Sequence, residues 1–413
     1  MRTELQVIDT AALAAELGFA WGPADTAADG VPAAQPKAHA DGPAAAGAAA
    51  SQGSQAALLD QAVALLRRGE TVAFPTETVY GLGANALDAD AVARIFAAKG
   101  RPSDNPLIVH VSSVAMLESL LESDGNEDAN RPRRLPAVYA QLVDSFWPGP
   151  MTLLVPASSK VPRTVTAGHA TVAVRMPSHP VARALIERCG FPLAAPSANT
   201  SGRPSPTLAA HVMADLGGRI PLVVDGGACR SGVESTVVDG LRPVPAILRP
   251  GGVTYEQIRA VPGFENVTVY SKHFVDKLLE AAPTTPGMKY RHYTPNADVV
   301  LIEAVRGSEG AGDKPAQRRR LLAEAAQIRS VQQDCVLGVM RTGPAVDAAD
   351  AVQDAVEVHL GSTAEDAARS LFMALRDLEA RGCTVILVEG VPDEGHGLAV
   401  MNRVRKASSR AVQ

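Results

Sequence analysis

Two segments in the first third of the chain carry residues whose types and spacing suit nucleotide chemistry. The first, PTETVYGLGANAL at 75–87, is a Thr/Glu/Thr turn with two glycines, which a small polar ligand can approach closely. The second, at 99–111, places Lys99, Arg101, Asn105 and His110 around a loop bent by two prolines. Such a loop can hold a polyanion, so the segments predict a nucleotide site. A solvated basic helix end is the competing interpretation of the two cations.

A third cation, Arg175, lies in the apolar segment VAVRMPSHP at 172–180, which predicts a strand. A guanidinium among apolar neighbours is unfavourable unless an anion pairs with it. That anion is either a ligand or a carboxylate of the protein. The sequence favours the ligand and leaves the buried ion pair open.

Hydroxyl-rich segments supply neutral donors that suit phosphate oxygens. PLAAPSANTSGRPSPT, at 192–207, is a short strand followed by a loop with Ser197, Asn199 and Ser205. GVESTVVDG, at 232–240, brings Ser235 to the start of another strand, and AILRPGG places Arg249 at a strand end. These segments extend the predicted site beyond the two central motifs.

Several other kinds of site are excluded by spacing. The chain contains no GxxxxGK[ST], no GxSxG and no HExxH, and GLGANA at 81–86 lacks the third glycine of a dinucleotide fingerprint. The four cysteines lie far apart, which predicts neither a zinc site nor a disulfide framework. We therefore expect no metal ligands among the protein side chains.

Composition indicates a soluble protein with two or three domains. The 413 residues carry a formal net charge of -5, with 46% hydrophobic and 20% charged residues. This balance argues against nucleic-acid binding over the whole surface but leaves room for a local basic cleft. We expect no membrane span, no secretory signal and a cytoplasmic location.

The order of predicted elements indicates an α/β fold with a large twisted mixed sheet and flanking helices. Residues 1–56 are predicted to be an N-terminal extension. Its Ala-, Gly- and Pro-rich part, 22–54, cannot bury enough surface to order itself. The main domain spans 57–270, and a smaller α/β domain with a Rossmann-like sheet spans 297–413. Predicted strands lie at 71–74, 107–111, 152–156, 171–176, 192–195, 222–225, 236–239 and 246–249, and then at 299–302, 336–340, 356–360 and 385–388.

Between the domains, residues 271–296 form a predicted connector with a Lys-Tyr-Arg-His-Tyr cluster. In the smaller domain, helices are predicted at 364–380 and 398–406. The charged residues of the first of these helices are interpreted as a solvated face.

These motifs together resemble the YrdC family. The segments at 75–111, FWPGPMTLLVP at 146–156, and the runs at 172–180, 192–207 and 232–240 occur in the order typical of that family. KYRHYTP at 289–295 and LAVMNRVRKAS at 398–408 resemble its long form, which has an extra C-terminal domain. The resemblance covers roughly 57–413.

The resemblance implies a nucleotidyltransferase. Its members join L-threonine, bicarbonate or CO2, and ATP into threonylcarbamoyl-AMP and release pyrophosphate. The product supplies the t6A modification at position 37 of tRNAs that read codons starting with A, through a downstream t6A transferase complex. Mg2+ is expected as the counter-ion of ATP.

The resemblance also implies roles for particular residues. Lys99 and Arg101 would be catalytic. Arg101 would also contact ATP, and Tyr293 would fold over the site and exclude water. Threonine would be held by Thr78, His110, Arg175, Ala195 and Ser235. ATP would also be held by Asn105, Thr171, Ser197, Asn199, Ser205, Arg249 and Tyr293.

Two other functions remain open at this stage. The fold is associated with binding of double-stranded RNA, which would make the chain a tRNA- or ribosome-maturation module. The absence of a basic, aromatic-interleaved stripe counts against this as the main role. Carbamoyl transfer to a protein thiol is disfavoured because the zinc-finger cysteine pairs of such proteins are missing.

Overall fold

Two β-sheets organise the residues that the computed structural model describes, namely 1–19, 54–121, 134–272, 283–287, 292–304, 313–343 and 351–413. Within these residues the large sheet has eleven strands in the order β1-β8-β2-β3-β7-β4-β6-β5-β9-β10-β11, with parallel and antiparallel neighbours. Its strands are β1 Glu4–Val7, β2 Val72–Phe74, β3 Gly81–Asn85, β4 Ile108–His110, β5 Met151–Pro156, β6 Thr171–Arg175, β7 Leu193–Ala194, β8 Leu222–Asp225, β9 Thr236–Asp239, β10 Ala246–Arg249 and β11 Thr268–Val269.

Successive residues of a strand point to opposite sides of the sheet. Apolar residues on both sides of the large sheet are therefore buried, and helices cover both faces. Val72 and Phe74 belong to one core cluster, whereas Ala73 belongs to another. The helices of this domain are Thr10–Leu17, Gln55–Leu58, Asp60–Arg67, Ala89–Lys99, Val114–Glu118, Ala140–Phe146, Arg163–Thr166, Pro180–Cys189, Ala209–Leu216 and Tyr255–Arg259, with a 3-10 turn at Ala137–Tyr139. The predicted mixed α/β architecture is confirmed.

The N-terminal strand β1 extends the large sheet. It pairs in parallel with β8, from Glu4 opposite Leu222 to Val7 opposite Asp225. Ile8 and Leu13 are buried against the helices that follow. Residues 1–19 therefore belong to the main domain, although we predicted that this domain begins at residue 57. Apart from Ser54, the segment 22–54 that we predicted to be disordered lies outside the described residues.

Deleting residues 1–19 should destabilise the main domain, because burial of Ile8 and Leu13 contributes roughly 1.5–3 kcal/mol each. We expect the melting temperature to fall by about 5 °C or more. The control replaces residues 22–53 with a short Gly/Ser linker. Glu16 accepts a hydrogen bond from the Ala56 amide over 3.3 Å, so the two segments that the linker joins lie close together. Equal melting temperatures for the two variants would contradict a structural role for β1.

Strand β3 corrects one sequence interpretation. The glycines of GLG were interpreted as a turn that lets a ligand approach, but Gly81 and Gly83 lie in a strand that pairs with β2. A Cβ on Gly83 would lie 2.5 Å from the Phe74 ring. Gly83 is therefore required by close packing of the sheet, and only Gly81 reaches the cleft described below.

The C-terminal domain is built on a five-stranded parallel sheet in the order β14-β13-β15-β12-β16, counted over the described residues. Its strands are β12 Asp298–Ile302, β13 Leu337–Arg341, β14 Val356–His359, β15 Val385–Glu389 and β16 Arg410–Val412, and its helices are Lys314–Val331, Ala364–Ala380 and His396–Ala407. This matches the predicted Rossmann-like domain. No helix in the described parts of the chain has the length and apolar character needed to cross a membrane.

The two domains meet through ion pairs and one close backbone approach. Arg376 donates to Asp215 over 3.0 and 2.8 Å, and Arg203 donates to Glu379 over 2.8 and 2.6 Å. A Cβ on Gly232, whose φ is 71°, would lie 2.3 Å from the backbone of helix Ala364–Ala380. The prediction that the charges of this helix form a solvated face is wrong for Arg376, which is buried in the interface.

Candidate active site

A cleft lies where strands of the large sheet meet the connector and the loop that precedes β9. It encloses about 530 Å³ of space between atoms, part of it open to solvent. Nine of the residues singled out from the sequence line it: Thr78, Arg101, His110, Arg175, Ala195, Ser197, Ser235, Arg249 and Tyr293. Residues more than two hundred positions apart in the sequence, from Thr78 to Tyr293, therefore form one site.

Arg175 is the last residue of β6 and lines this cleft. Its Nη1 donates to Thr78 Oγ1 over 2.8 Å and its Nε donates to the Gly149 carbonyl over 3.2 Å. Its Nη2 lies 2.6 Å from Glu77 Oε1, although the contact lacks hydrogen-bond geometry. Arg175 is thus both a partner of a buried carboxylate and a lining residue, so the two interpretations of its charge are compatible.

His110 lies beside Arg175, since the two residues are opposite each other in the β4–β6 pairing. Burial, reinforced by the Arg175 charge, lowers the pKa of His110 to about 3. The imidazole is therefore neutral at physiological pH. Its Nδ1 has no hydrogen-bond partner among the described residues, which leaves this nitrogen free for a ligand.

Ser235 and Arg249 line the cleft next to each other. Arg249 donates from Nε and Nη2 to the Ser235 carbonyl over 3.2 and 3.0 Å, and from Nη1 to the Pro286 carbonyl over 3.1 Å. The Ser235 hydroxyl lies 2.7 Å from Thr152 Oγ1. Burial lowers the pKa of Arg249, but a guanidinium keeps its proton at neutral pH.

Arg101 lines the cleft from the loop after helix Ala89–Lys99. Its Nη2 donates to the Pro106 carbonyl over 3.1 Å, and its Nε has no hydrogen-bond partner in the described structure. Burial lowers the pKa of Arg101 to about 10, so it stays charged at neutral pH. With Arg175 and Arg249, it gives the cleft three guanidinium groups from three separate segments.

Lys99 does not line the cleft. It is the last residue of its helix, which Asp88 caps at the start and Gly100, at φ 60°, ends. The side chain is 1% exposed and donates to the carbonyls of Ser197 and Asn199. The loop position that we predicted for Lys99 is wrong, because its ammonium is directed into the protein and holds the hydroxyl-rich loop.

Replacing Lys99 with Met should therefore reduce both stability and activity. The Ser197 and Asn199 carbonyls would lose their donor, at a cost of about 1–3 kcal/mol for the buried Asn199 carbonyl. The matched variant Arg101→Met also loses two carbonyl contacts, one of them long at 3.4 Å, but it removes a charge that lines the cleft, so its activity should fall more for a given change in melting temperature. Melting curves and turnover of both variants test this. If the melting temperature of Lys99→Met were unchanged, Lys99 would be a ligand-binding residue and not a structural one.

Four other residues that were assigned to ATP do not line the cleft. The backbone carbonyl of Asn105 faces Arg101 at 3.4 Å. Thr171 begins β6, at the opposite end of the strand from Arg175. The Asn199 amide donates to the carbonyls of its own loop, and Ser205 donates to Glu234 over 2.6 Å. These contacts shape the loops around the cleft.

Some residues of the cleft were not assigned a role from the sequence. Thr76, Glu234, Pro286, Gly287 and His292 line it as well. Glu234 stood in a motif that we singled out, and a lone acid beside Ser235 is the signal that could have identified it. Burial lowers the pKa of His292 to about 3, so this imidazole is also neutral at physiological pH.

The carboxylates near the cleft are already paired with arginines. Glu77 contacts Arg175 and Glu234 contacts Arg403. Across the described residues, no group of three or more His, Cys, Asp and Glu side chains could hold a metal ion. The cleft is therefore built to receive anions.

Comparison with known proteins identifies the family. The family described as "Telomere recombination" (Sua5_yciO_yrdC) matches residues 64–251, and "Threonylcarbamoyl-AMP synthase, C-terminal domain" (Sua5_C) matches 253–409. The threonylcarbamoyl-AMP synthase of Pyrococcus abyssi is 47% identical over 350 residues, which cover 84% of this chain and 93% of the relative. The chain belongs to the threonylcarbamoyl-AMP synthase family. The Bacillus subtilis synthase is 45% identical, with 85% and 93% covered.

The solved structures agree with this membership. The crystal structure of P. abyssi Sua5 complexed with L-threonine matches with a TM-score of 0.74 at 44% identity, and the match covers 87% of this chain and 97% of that one. Both domains of the chain therefore have counterparts in the family. The resemblance to the long form of the YrdC family is confirmed.

Proposed function

We propose that this chain is an L-threonylcarbamoyladenylate synthase. The observation that carries the proposal is the cleft itself, in which Arg101, Arg175 and Arg249 converge on one partly enclosed space. Three guanidinium groups suit the carboxylate of an amino acid together with a polyphosphate. Membership of the threonylcarbamoyl-AMP synthase family supplies the reaction.

In this proposal, Arg175 holds the threonine carboxylate in the cleft. Thr78, His110, Ala195 and Ser235 surround the rest of the amino acid. Arg175 is already oriented by Glu77 and Thr78, so little ordering is needed when the substrate arrives. The threonine-bound structure of the P. abyssi relative supports this substrate.

In this arrangement the nucleotide lies next to the threonine, between Arg101 and Arg249. Ser197 and Tyr293 complete that part of the lining, whereas Lys99, Asn199 and Ser205 hold the loops behind it. The phosphates bring their own counter-ion, Mg2+. The paired carboxylates Glu77 and Glu234 do not fit a metal site on the protein.

The chemistry follows from bringing these groups together. The neutral amine of threonine attacks CO2 and loses a proton, or attacks bicarbonate with release of water, and becomes a carbamate. A carbamate oxygen then attacks the α-phosphorus of ATP, the bond from that phosphorus to the β-phosphate bridge breaks, and pyrophosphate leaves. Positioning and charge neutralisation supply most of such phosphoryl catalysis. A cleft that excludes water protects the labile carbamate.

Incubation with ATP, threonine and labelled bicarbonate tests the proposal. Label should appear in an adenylate, and pyrophosphate release should depend on threonine. Release without threonine, or no release at all, would contradict synthase activity. Tight binding of double-stranded RNA in that case would favour the alternative of an RNA-binding module.

The product would feed t6A formation at position 37 of tRNAs that read codons starting with A. The next reaction must transfer the threonylcarbamoyl group from AMP to the tRNA, which is the task of a t6A transferase complex. A cytoplasmic location fits these substrates, and the four cysteines are free thiols, as expected in a reducing compartment.

A further inference from the structure

Arg403 brings a buried charge from the C-terminal domain to the edge of the cleft. It lies on helix His396–Ala407, and its side chain is 0% exposed. Its Nε lies 3.0 Å from Glu234 Oε2, and its Nη1 donates to the carbonyl of Pro250. Its guanidinium carbon also lies 5.8 Å from the centre of the Tyr293 ring. One side chain therefore contacts three segments of the site.

Each of these segments carries a residue of the proposed ATP side. Glu234 lines the cleft directly and accepts the Ser205 hydroxyl over 2.6 Å. Pro250 follows Arg249, which lines the same cleft. A displacement of Arg403 would shift all of these groups together.

Glu234 needs Arg403 to exist as a buried carboxylate. Burial on its own raises the pKa of Glu234, but Arg403 and then Arg249 outweigh burial and lower this pKa to about 2. Without Arg403, the carboxylate would either take up a proton or remain as an uncompensated negative charge beside the phosphates.

We propose that Arg403 is a positioning residue for ATP: it neutralises Glu234 and fixes the Glu234, Arg249 and Tyr293 segments, so that the C-terminal domain completes the catalytic cleft. This inference rests on the proposed function for the identity of the nucleotide. Ser205, which the resemblance assigned to ATP directly, acts in this arrangement through its hydrogen bond to Glu234.

The same helix also contacts two residues within the connector, Gly287 and His292. Lys406 donates from Nζ to the Gly287 carbonyl, and its own carbonyl accepts from the His292 amide over 3.3 Å. Gly287 and His292 both line the cleft. Helix His396–Ala407 thus supports the cleft at two points, Arg403 and Lys406, which lie one turn apart on one face.

The test measures the equilibrium affinity for ATP of Arg403→Met at pH 6 to 9. We expect the ATP Kd to rise about tenfold or more at pH 7. The ratio of variant to wild-type Kd should grow with pH, because Glu234, no longer paired, ionises as pH rises and repels the phosphates. Arg376→Met is the matched control: it breaks an equally buried pair across the domain interface, with Asp215, and should bind ATP normally.

A double variant distinguishes the titration of Glu234 from that of the other charged groups that face it. Arg249, His292, Tyr293 and Lys406 surround the carboxylate, and burial lowers the pKa of Lys406 to about 7. Arg403 lowers the pKa of Lys406 and Glu234 raises it, so the two effects on Lys406 oppose each other in a variant that replaces both residues, and Glu234 no longer titrates there. Arg403→Met/Glu234→Gln should show a pH dependence parallel to that of the wild type. A purely stabilising Arg403 would not produce this difference.

Several results would overturn the proposal. Wild-type ATP affinity in folded Arg403→Met would do so, as would an excess pH dependence that persists in the double variant. If Arg403→Met does not fold, Arg403→Lys provides the measurement. This variant keeps a positive charge near Glu234 but loses the second guanidinium nitrogen that reaches the Pro250 carbonyl. ATP should therefore bind more weakly, with the pH dependence of the wild type. Unchanged ATP affinity would refute the inference. Absence of threonine-dependent pyrophosphate release in the wild type would instead refute the proposed function.

Discussion

Replacing Arg175 with Met should abolish saturation by threonine while ATP still binds. The guanidinium lines the described cleft beside Thr78, and in the proposed arrangement its loss leaves the substrate carboxylate unpaired. A bidentate charged contact of this kind contributes on the order of 2–4 kcal/mol. We therefore expect kcat/KM for threonine to fall by roughly 30- to 1000-fold. Arg101 and Arg249 remain in place, so the ATP Kd should change little.

Stability has to be separated from binding in this experiment. Glu77 is fully buried beside Arg175, and the single variant leaves its carboxylate without a counter-charge, at a cost of about 3–5 kcal/mol. The double variant Arg175→Met/Glu77→Gln removes both charges and should recover most of the lost melting temperature. It should not recover the use of threonine. If it did, Arg175 would be a structural ion-pair residue and not a ligand.

Local patterns in the sequence predicted most of the secondary structure. Strands Leu222–Asp225, Thr236–Asp239 and Ala246–Arg249 have the predicted bounds, because runs of β-branched residues ended by turn residues carry their own signal. Strand Gly81–Asn85 was missed because Gly and Asn have low strand propensity. It is held by pairing with strands β2 and β7. Helix Lys314–Val331 was also missed, because its apolar residues form no clear stripe in the sequence.

The sequence identified the cations of the site but not the groups with which they pair. The composition of a segment shows that Arg175 needs an anion, but not that Glu77, almost a hundred residues away, supplies one. Lys99 looked like a loop cation because the backbone carbonyls that it serves belong to a different segment. Arg403 lies 169 positions from Glu234, and only the tertiary structure brings the two together.

Tyr293 lines the cleft from the connector. After Arg175, it is the residue whose replacement should most reduce synthesis. The residue is 1% exposed at φ 68°, and its ring packs against Phe372 with centroids 5.2 Å apart. Burial, then the Glu234 charge, raises the pKa of its hydroxyl to about 12, so it remains protonated. Tyr293→Ala would remove this wall and leave a cavity, with a stability cost of about 3–5 kcal/mol. Water would then reach the reacting carbamate.

We expect Tyr293→Ala to lower threonine-dependent synthesis by about tenfold or more and to raise the share of adenylate recovered as hydrolysed AMP. Tyr293→Phe is the matched control, since it keeps the ring and the packing against Phe372 and loses only the hydroxyl. Its ratio of intact threonylcarbamoyl-AMP to AMP should stay close to that of the wild type. The ratio is the informative quantity, because partial unfolding lowers both products together, whereas an opened wall changes their proportion. An unchanged ratio in Tyr293→Ala would mean that the connector joins the two domains without shielding the reaction.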